Sequence, residues 1–314
     1  MIYTITLNPA LDYDIYLSNF VNNSLNESRE INLRAGGKGI IVSKMLKNLG
    51  ISSIALGFVS GFTGEYIKDD LSKDGIKNDF VQLSDESFTR INIKINDKNG
   101  ETEISGISPR VSSEELDELM NKLKDTTKED FLVLSGSVPS SISKNIYKKI
   151  SENFKGKVFL DTRGELLSEN IFENTFFVKP NINELKDMFG VKEDLKNIYD
   201  ISKYIDYFFD KDVDNVIVSD GGKGAYYFNK DEFLKNRKGY FIKPPKGQYI
   251  NSIGSGDSVV AGFLAGIYDN KSNLECFKQA VACGTATAYS YGIGELELIE
   301  KLKKEIEIVE YEDL

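Results

Sequence analysis

The 314-residue sequence contains no histidine and no tryptophan, and it has two cysteines and six prolines. Without histidine, the chain cannot use a histidine base, a Ser-His or Cys-His nucleophile, or the usual histidine ligands of zinc and iron. A catalytic base must therefore be Asp, Glu, Lys, Tyr or Cys. Cys276 and Cys283 lie in an apolar helical stretch, which predicts buried thiols rather than a disulfide or a redox pair.

The sequence also lacks a basic, apolar leader and any run of about 18 apolar residues, so it predicts a cytoplasmic protein without a membrane span. Its formal net charge of -10 disfavours nucleic acids and anionic membranes as partners. A hydrophobic content of 40% is typical of a soluble globular protein with a sizeable core. A phosphorylated ligand would have to be bound by a few local basic groups and backbone N–H donors.

Short apolar runs alternate with amphipathic helical stretches along most of the chain. This alternation predicts an α/β fold with a parallel sheet that is covered on both faces. The predicted strands are residues 2–7, 53–59, 131–135, 157–161, 176–179, 215–219 and 226–229, and the predicted helices are residues 38–49, 64–74, 113–124, 144–153, 182–189 and 198–209.

Residues 89–104 break this alternation. Apolar and polar residues alternate strictly over 89–95, the turn Asp97-Lys98-Asn99-Gly100 follows, and a second run begins at 101. This pattern predicts a β-hairpin with one solvated face. Because residues 12–17 and 30–33 look similar, we expect a small, discontinuous antiparallel sheet set on the main domain.

The strongest chemical signal is the sequence Gly254-Ser255-Gly256-Asp257, which is followed by the apolar stretch 258–266. A glycine-rich turn that leads into a buried helix presents free N–H groups and the positive end of the helix dipole, both of which favour an anion. An aspartate at a helix start is usually an N-cap. Beside an anion site, Asp257 is also well placed to take a proton from an attacking hydroxyl.

A second glycine-rich turn, Gly36-Gly37-Lys38-Gly39, opens another helix. Its residues suggest that a phosphate or a polyol is held against the backbone, with Lys38 supplying a point charge. The spacing is neither that of a Walker P-loop nor that of a dinucleotide fingerprint. Taken alone, the turn is equally compatible with a tight loop before a helix.

Two further motifs stand at the ends of predicted strands, where ligands bind in open α/β sheets. The sequence Ser219-Asp220-Gly221-Gly222-Lys223-Gly224 follows one strand, and by itself it predicts a hairpin turn. The sequence Lys179-Pro180-Asn181-Ile182-Asn183-Glu184 follows another. Asn181 and Glu184 could orient Mg²⁺ through water molecules, or they could form the capping box of a helix.

Three polar residues near predicted strands could bind a sugar phosphate. Asp12 follows the first strand and could accept hydrogen bonds from sugar hydroxyls, and Ser137, after another strand, could do the same. Arg90 lies in the alternating hairpin. An arginine on a surface strand is usually only solvated, but here it could bind a phosphate through two hydrogen bonds.

These motifs, in this order, resemble those of the ribokinase-like carbohydrate kinases, in particular the B-type phosphofructokinase branch. The four motifs are Gly-Gly-Lys-Gly at 36–39, Lys-Pro-Asn with Glu at 179–184, Ser-x-Gly-x-x-Gly-Ala at 219–225 and Gly-Ser-Gly-Asp at 254–257. The resemblance covers nearly the whole chain. It implies a doubly wound ribokinase-like αβα sandwich with a small discontinuous β-sheet lid, here a single domain over 1–314 with lid segments at about 12–34 and 88–107.

The resemblance also implies a role for each motif. Asp257 would be the catalytic base, and the N–H groups of Gly254, Ser255 and Gly256 would form the anion hole. The sugar phosphate would be bound by Asp12, Gly36, Gly37, Lys38, Arg90 and Ser137. ATP would be bound by Lys179, Asn181, Glu184, Ser219, Gly221 and Gly224 together with the anion hole. Mg²⁺ would be held by Glu184 through water.

Within the branch, residues 8–12, 57–66, 89–94 and 101–104 are most similar to members that phosphorylate fructose 1-phosphate. The implied reaction is attack of the 6-hydroxyl on the γ-phosphorus of ATP, giving fructose 1,6-bisphosphate and ADP. Three departures matter. Ile41 stands where the family usually has an asparagine that contacts the sugar, Asp220 where it has an apolar residue, and Arg163 where a small residue is typical. The resemblance further implies a homodimer that forms through the lid.

The residues leave other functions open. A kinase of the same family could act on tagatose 6-phosphate or fructose 6-phosphate instead. The departure at Ile41 also allows a catalytically weak protein that senses sugar phosphates. A Rossmann-type dehydrogenase fits the alternation of elements, but no dinucleotide fingerprint follows the first strand, so this class is the least favoured.

Overall fold

A computed structural model of the chain describes residues 1–84 and 87–314. Its strands are β1 (Ile2–Thr6), β2 (Ala10–Tyr16), β3 (Glu30–Gly36), β4 (Ile54–Val59), β5 (Lys77–Asn78), β6 (Val81–Gln82), β7 (Ile91–Asp97), β8 (Gly100–Ile104), β9 (Phe131–Ser135), β10 (Lys157–Asp161), β11 (Thr175–Val178), β12 (Asn215–Ser219), β13 (Ala225–Asn229), β14 (Gly239–Ile242) and β15 (Val309–Tyr311).

Its helices are α1 (Lys38–Asn48), α2 (Gly61–Lys73), α3 (Ser113–Asn121), α4 (Ile146–Glu152), α5 (Glu165–Ser168), α6 (Ile182–Phe189), α7 (Ile198–Ser202), α8 (Asp206–Phe209), α9 (Lys230–Asn236), α10 (Ser255–Tyr268), α11 (Asn273–Ala288) and α12 (Leu296–Glu305). The strands and helices predicted from the apolar pattern are all present, with ends that differ by a few residues. The exception is the helix predicted over 198–209, which is two short helices, because residues 204 and 205 close three-residue turns onto Ile201 and Ser202 instead of continuing the α-helical ladder.

The larger sheet has the strand order β15-β14-β13-β12-β11-β10-β9-β1-β4-β5, with β6 also pairing with β4. Within this sheet, neighbouring strands pair in parallel along the series β5, β4, β1, β9, β10, β11 and β12. Strands β13, β14 and β15 then extend the sheet through antiparallel pairs. The predicted parallel sheet is therefore extended by an antiparallel edge. This edge arises because β12 and β13 are joined by a tight turn over 220–224, which reverses the chain.

Each central strand contributes side chains to two hydrophobic cores, because successive side chains point to opposite faces of the sheet. In β10, Val158 and Leu160 belong to one apolar cluster and Phe159 belongs to the other. The first cluster is covered by α3 to α9, and the second by α1, α10, α11 and α12. Cys276 and Cys283 are buried free thiols in the second core, as predicted. The chain is therefore a doubly wound αβα sandwich.

The smaller sheet is the lid, with the strand order β3-β2-β7-β8. The prediction that this sheet is wholly antiparallel is wrong, because β2 and β7 pair in parallel. Between these two strands the chain passes through β3 and then α1, β4 and α2 of the main domain. When the chain returns to the lid, β7 runs in the same direction as β2. It pairs with β2 on the side opposite to β3.

The two faces of the lid differ in polarity, since alternate residues of each strand point to opposite sides. The inner lid face carries the polar residues Asp12, Asp14, Arg34, Asn92 and Lys94. The outer lid face carries the apolar residues Tyr13, Ile15, Ile31, Leu33, Ile93, Ile95 and Ile104. Within residues 1–84 and 87–314, no helix combines the length and the hydropathy that a membrane span requires.

Candidate active site

The carboxyl ends of the parallel strands meet at one edge of the main sheet, which is where the predicted site residues gather. Asp161 ends β10, Lys179 directly follows β11, and Ser219 ends β12. The first turns of α1 and α10 lie at the same edge, because Lys38 of α1 contacts both Asp161 and Asp257. The inner lid face adjoins this edge, because Asp12 lies against Gly36 at the start of α1. Ligands bind at this position in open α/β sheets.

The helix α10 begins with Gly254 as its N-cap, in the left-handed conformation with φ 74°. Glycine adopts this conformation without the steric cost that a Cβ atom imposes. No side chain caps the helix, so its first turn can accept an anion, although the N–H of Ser255 donates to the carbonyl oxygen of Ser252 at 3.2 Å. Asp257 is the third residue of the helix rather than its N-cap, so the capping alternative for this residue is wrong.

Asp257 belongs to a compact group of two lysines and two aspartates. The ammonium Nζ of Lys38 lies 3.1 Å from Oδ2 of Asp161 and 3.8 Å from Oδ1 of Asp257. The ammonium Nζ of Lys179 lies 3.4 Å from the other carboxylate oxygen of Asp161. Asp161, Lys179 and Asp257 are buried, whereas the side chain of Lys38 is 41% exposed. We call these four residues the charge cluster.

Burial and the charge cluster together shift the pKa values of Asp257 and Asp161. Burial raises the pKa of Asp257 to about 7; Lys38 and Lys179 oppose this rise, and the neighbouring Asp161 carboxylate adds to it. Burial would also raise the pKa of Asp161, but Lys179 and Lys38 hold it below its ordinary value. One carboxyl group of the pair therefore stays ionised, while the other is poised to gain or lose a proton near neutral pH.

A cavity of about 830 Å³ adjoins the charge cluster. The residues predicted to bind ATP line it, with the exception of Gly254: they are Lys179, Asn181, Glu184, Ser219, Gly221, Gly224, Ser255 and Gly256. Lys38, predicted to bind the sugar phosphate, also lines this cavity. A Cβ atom on Gly256 would lie 3.2 Å from Nζ of Lys179, so this lysine sits directly beside the glycine turn.

Two motifs of the cavity wall form the local structures that were the alternatives to ligand binding, a capping box and a hairpin turn. Asn181 and Glu184 form a reciprocal capping box at the start of α6, with two hydrogen bonds of 2.9 Å. The segment 220–224 is a hairpin turn between β12 and β13. Neither role removes these residues from the cavity wall, because a carboxylate and an amide can each accept further hydrogen bonds.

Asp12 lies beside the glycine turn that opens α1. A Cβ atom on Gly36 would lie 2.5 to 2.6 Å from the carboxylate atoms of Asp12, so only glycine allows this approach. Gly37 is the N-cap of α1 with φ 135°, and a Cβ atom there would lie 2.6 Å from Cγ2 of Thr6. The turn is therefore fixed against β1 and the lid, and it delivers Lys38 to the charge cluster.

Arg90 and Ser137 border the opposite end of this region. The guanidinium of Arg90 donates to the carbonyl oxygens of Asn8 and Pro9 and to the hydroxyl of Ser105. Burial lowers its pKa, and Asp12 opposes this effect. The hydroxyl of Ser137 accepts from the side-chain amide of Asn8. Both residues are held at the junction of β1, β9 and the lid.

Four residues of the site were missed by sequence reasoning. Three surround Asp12: Nη2 of Arg34 lies 3.2 Å and Nζ of Lys94 3.8 Å from Oδ2 of Asp12, and Asn92 donates to Oδ1 at 3.0 Å. The fourth is Asp161. Its position at the end of an apolar strand was a usable signal. Asn92 and Lys94 reach Asp12 through pairing between β2 and β7, which lie far apart in sequence, and Arg34 reaches it from β3, which pairs with β2 on its other side.

Within the described part of the chain, no three acidic or cysteine side chains gather as a metal-binding group. Mg²⁺ is commonly held by one or two carboxylates together with substrate phosphates and water. One oxygen of Glu184 accepts from the Asn181 N–H, and its second oxygen can accept from a metal-bound water.

A glycine turn at a helix start, two lysines and a carboxylate with a near-neutral pKa suit the transfer of a phosphoryl group. The doubly wound sandwich with a small lid is the fold of the ribokinase-like sugar kinases. The chain belongs to the pfkB family of carbohydrate kinases, whose family model matches residues 5–299.

Individual relatives agree with this assignment. The chain is 42% identical over 312 residues to a 1-phosphofructokinase of Borreliella burgdorferi, covering 98% of each chain. It is 40% identical over 312 residues to a 1-phosphofructokinase of Bacillus subtilis, covering 98% of this chain and 99% of the relative. A crystal structure of a candidate phosphofructokinase from Staphylococcus aureus has a TM-score of 0.85 and 38% identity, covering 99% of both chains.

Replacing Asp161 by asparagine keeps the side-chain shape but removes the negative charge that both lysines contact. We expect Asp161→Asn to lower the free energy of unfolding by about 3 kcal/mol, because it leaves a buried lysine with a neutral partner. Urea denaturation followed by circular dichroism measures this change.

The matched control is Asp206→Asn. Asp206 pairs with Arg237 at 2.9 Å, but both side chains are roughly two-fifths exposed, so this change should cost less than about 1 kcal/mol. Equal losses in the two variants would contradict a structural role for the charge cluster.

Proposed function

We propose that this protein transfers the γ-phosphoryl group of ATP to the 6-hydroxyl of fructose 1-phosphate, giving fructose 1,6-bisphosphate and ADP. Membership of the pfkB family supports the reaction type. The relatives named 1-phosphofructokinase, at 40% and 42% identity over full length, support the choice of sugar. A cytoplasmic location stays a prediction.

One observation carries the proposed chemistry. Asp257 is buried, has a pKa of about 7, and lies in the first turn of α10, directly after the glycine turn that would hold the transferring phosphoryl group. A base is most effective when its pKa lies near the working pH. No other carboxylate of the charge cluster fits this role, because Lys179 and Lys38 keep Asp161 ionised and weakly basic.

In the proposed reaction, the carboxylate of Asp257 takes the proton from the 6-hydroxyl as its oxygen bonds to the γ-phosphorus. The bond between that phosphorus and the β,γ-bridging oxygen breaks, and ADP leaves. The N–H groups of Gly254, Ser255 and Gly256 stabilise the charge on the equatorial oxygens. Lys38 and Lys179 flank the same point and lower the energy of the transition state by direct attraction.

The cavity supports the binding of a nucleotide. Its polar part holds Lys179, Asn181, Glu184 and Ser219 for the phosphates, and its other part is lined by Pro244, Val259, Val281, Ala288 and Tyr289. Apolar and aromatic walls of this kind suit a purine base. We propose that Glu184, through water, helps to hold Mg²⁺, which would neutralise phosphate charge.

The junction of β1 and the lid supports the binding of the sugar phosphate. Within the described residues, Arg90 forms no ion pair with a carboxylate, so its charge is available to the 1-phosphate. Asp12 is fixed by Arg34, Asn92 and Lys94 and would accept from sugar hydroxyls. Gly36, Gly37 and Ser137 would complete the wall around the sugar.

We also propose that two copies of the chain pair through the outer lid face. Tyr13, Ile15, Leu33, Ile93 and Ile95 are only partly buried there, and Ile31 and Ile104 are 49% and 54% exposed. The edge strand β8 is exposed along its whole length. An apolar sheet face bordered by an unpaired edge is unfavourable in water, and a second copy would cover it.

Purified protein with Mg-ATP should release ADP fastest when fructose 1-phosphate is the acceptor. The measurement is a coupled ADP assay over a panel of fructose 1-phosphate, fructose 6-phosphate and tagatose 6-phosphate. Faster turnover of tagatose 6-phosphate would overturn the choice of sugar. Absence of turnover with every member of the panel would favour a sensor of sugar phosphates.

Replacing Asp257 by asparagine should lower kcat by at least about 100-fold, the usual contribution of a general base, while the affinity for ATP is kept. The wild-type kcat/KM should fall with unit slope as the pH drops below about 7, because protonation of Asp257 removes the base. Asp257→Asn should lose this acidic limb. Near-normal turnover by the variant would exclude Asp257 as the base.

A charged substitution on the outer lid face tests the proposed dimer. Wild-type protein should sediment as a dimer in analytical ultracentrifugation, and Ile93→Asp should sediment as a monomer, because a carboxylate cannot be buried in an apolar interface at low cost. Leu234→Asp, at a 54% exposed position on α9, is the control. A monomeric wild type would refute the proposal.

A further inference from the structure

Ile41 lies on α1, one turn after Lys38. Residues three apart on a helix share a face, so both side chains point toward α10, where Lys38 reaches Asp257. Ile41 itself is only 8% exposed. Its side chain is therefore covered by protein rather than presented to the site.

The group that covers Ile41 is the glycine turn of the anion hole. A Cβ atom on Gly254 would lie 3.0 Å from Cγ2 and 3.5 Å from Cδ1 of Ile41. It would also lie 3.3 Å from Cδ1 of Ile293. Two isoleucines, one from α1 and one from the loop between α11 and α12, thus close on the face of Gly254 where a side chain would stand. We call them the isoleucine clamp.

Ile293 is held in place by its neighbour. The N–H of Gly294 donates to Oγ1 of Thr287 at 3.1 Å, and Oγ1 of Thr287 is 2.9 Å from Oγ of Ser258 in α10. The carbonyl oxygen of Gly294 accepts from the side-chain amide of Asn48 in α1 at 3.0 Å. These hydrogen bonds connect the loop to both α1 and α10, and the loop places Ile293 against the turn at Gly254.

We propose that Ile41 and Ile293 are positioning residues that hold the anion-hole turn in its binding geometry, and that residue 41 is not a sugar contact in this protein. The inference rests on the proposed function of that turn. No side chain caps α10; the turn before it is held by the N–H of Ser255, which donates to the carbonyl oxygen of Ser252, and by packing at Gly254. The clamp supplies the packing at Gly254.

This role has a distinct kinetic signature. Fixed hydrogen-bond donors act mainly on charge that develops in the transition state, so loosening the turn should lower kcat more than it changes KM. A direct contact to the sugar would instead act through the KM for the sugar phosphate. The two roles of residue 41 are therefore separable by steady-state kinetics.

The experiment compares Ile41→Val, Ile41→Ala and Ile41→Asn. We expect Ile41→Val, which keeps the methyl group nearest to Gly254, to retain kcat within about twofold. Ile41→Ala and Ile41→Asn should lower kcat about tenfold, less than the loss of a whole anion-hole donor, with both KM values within about threefold. A lower sugar KM with unchanged kcat in Ile41→Asn would overturn the proposal.

Ile40→Ala is the matched control. Ile40 is the adjacent residue of α1, fully buried, and it packs with Ala55, Val59 and Ile67 away from α10. It should lose thermal stability as a buried isoleucine-to-alanine change does but keep kcat within about twofold. If Ile40→Ala and Ile41→Ala lower kcat equally, the effect is general destabilisation and the clamp has no specific role.

A binding measurement tests the clamp without turnover. Calorimetry with MgADP alone and with MgADP plus aluminium fluoride, a mimic of the transferring phosphoryl group, should show unchanged ADP affinity in Ile41→Ala and about tenfold weaker binding of the fluoride complex. Equal fluoride affinity in wild type and Ile41→Ala would refute the clamp. A wild type that binds the complex but turns over no sugar phosphate would refute the proposed function alone.

Discussion

The carboxylate of Asp161, held between Lys38 and Lys179, is the interaction on which the site depends. It ends a central strand of the sheet, so its position is set by the core and not by a loop. Through Lys38 it fixes the start of α1, and through Lys179 it fixes the segment that leads to α6. The two substrate regions are thereby joined through one ion-pair network, which costs less side-chain freedom than separate pairs would.

This network also explains how an acidic protein can bind two phosphorylated molecules. With a net charge of -10, the surface as a whole repels phosphate, so attraction must be local. The basic side chains at the site are almost all paired: Lys38 and Lys179 with Asp161, and Arg34 and Lys94 with Asp12. Pairing keeps these cations ordered, and backbone N–H groups at α10 supply further attraction without net charge.

The sequence indicates the candidate base and its glycine turn more directly than the residues that contact the rest of the site. Glycines and Asp257 are contiguous, so the helix start could be recognised from local pattern, and the sheet could be predicted from apolar periodicity. Asn92 and Lys94 reach Asp12 through pairing between distant segments, which periodicity does not encode. The parallel pairing of β2 with β7 likewise follows from the path of the chain through the main domain. The break between α7 and α8 reflects a local competition between turn types that apolar spacing does not resolve.

The same lysines that order the site also act on the proposed base, because Lys38 and Lys179 lower the pKa of Asp257 against the effect of burial. In the proposed complex, the nucleotide would bring several negative charges to these two ammonium groups. Each such charge offsets their attraction for the carboxylate and adds repulsion of its own, so the pKa of Asp257 must rise when the nucleotide binds. The carboxylate is consequently a better proton acceptor in the presence of the donor nucleotide than in its absence. Through these lysines, the proposed base Asp257 would be coupled electrostatically to a bound nucleotide.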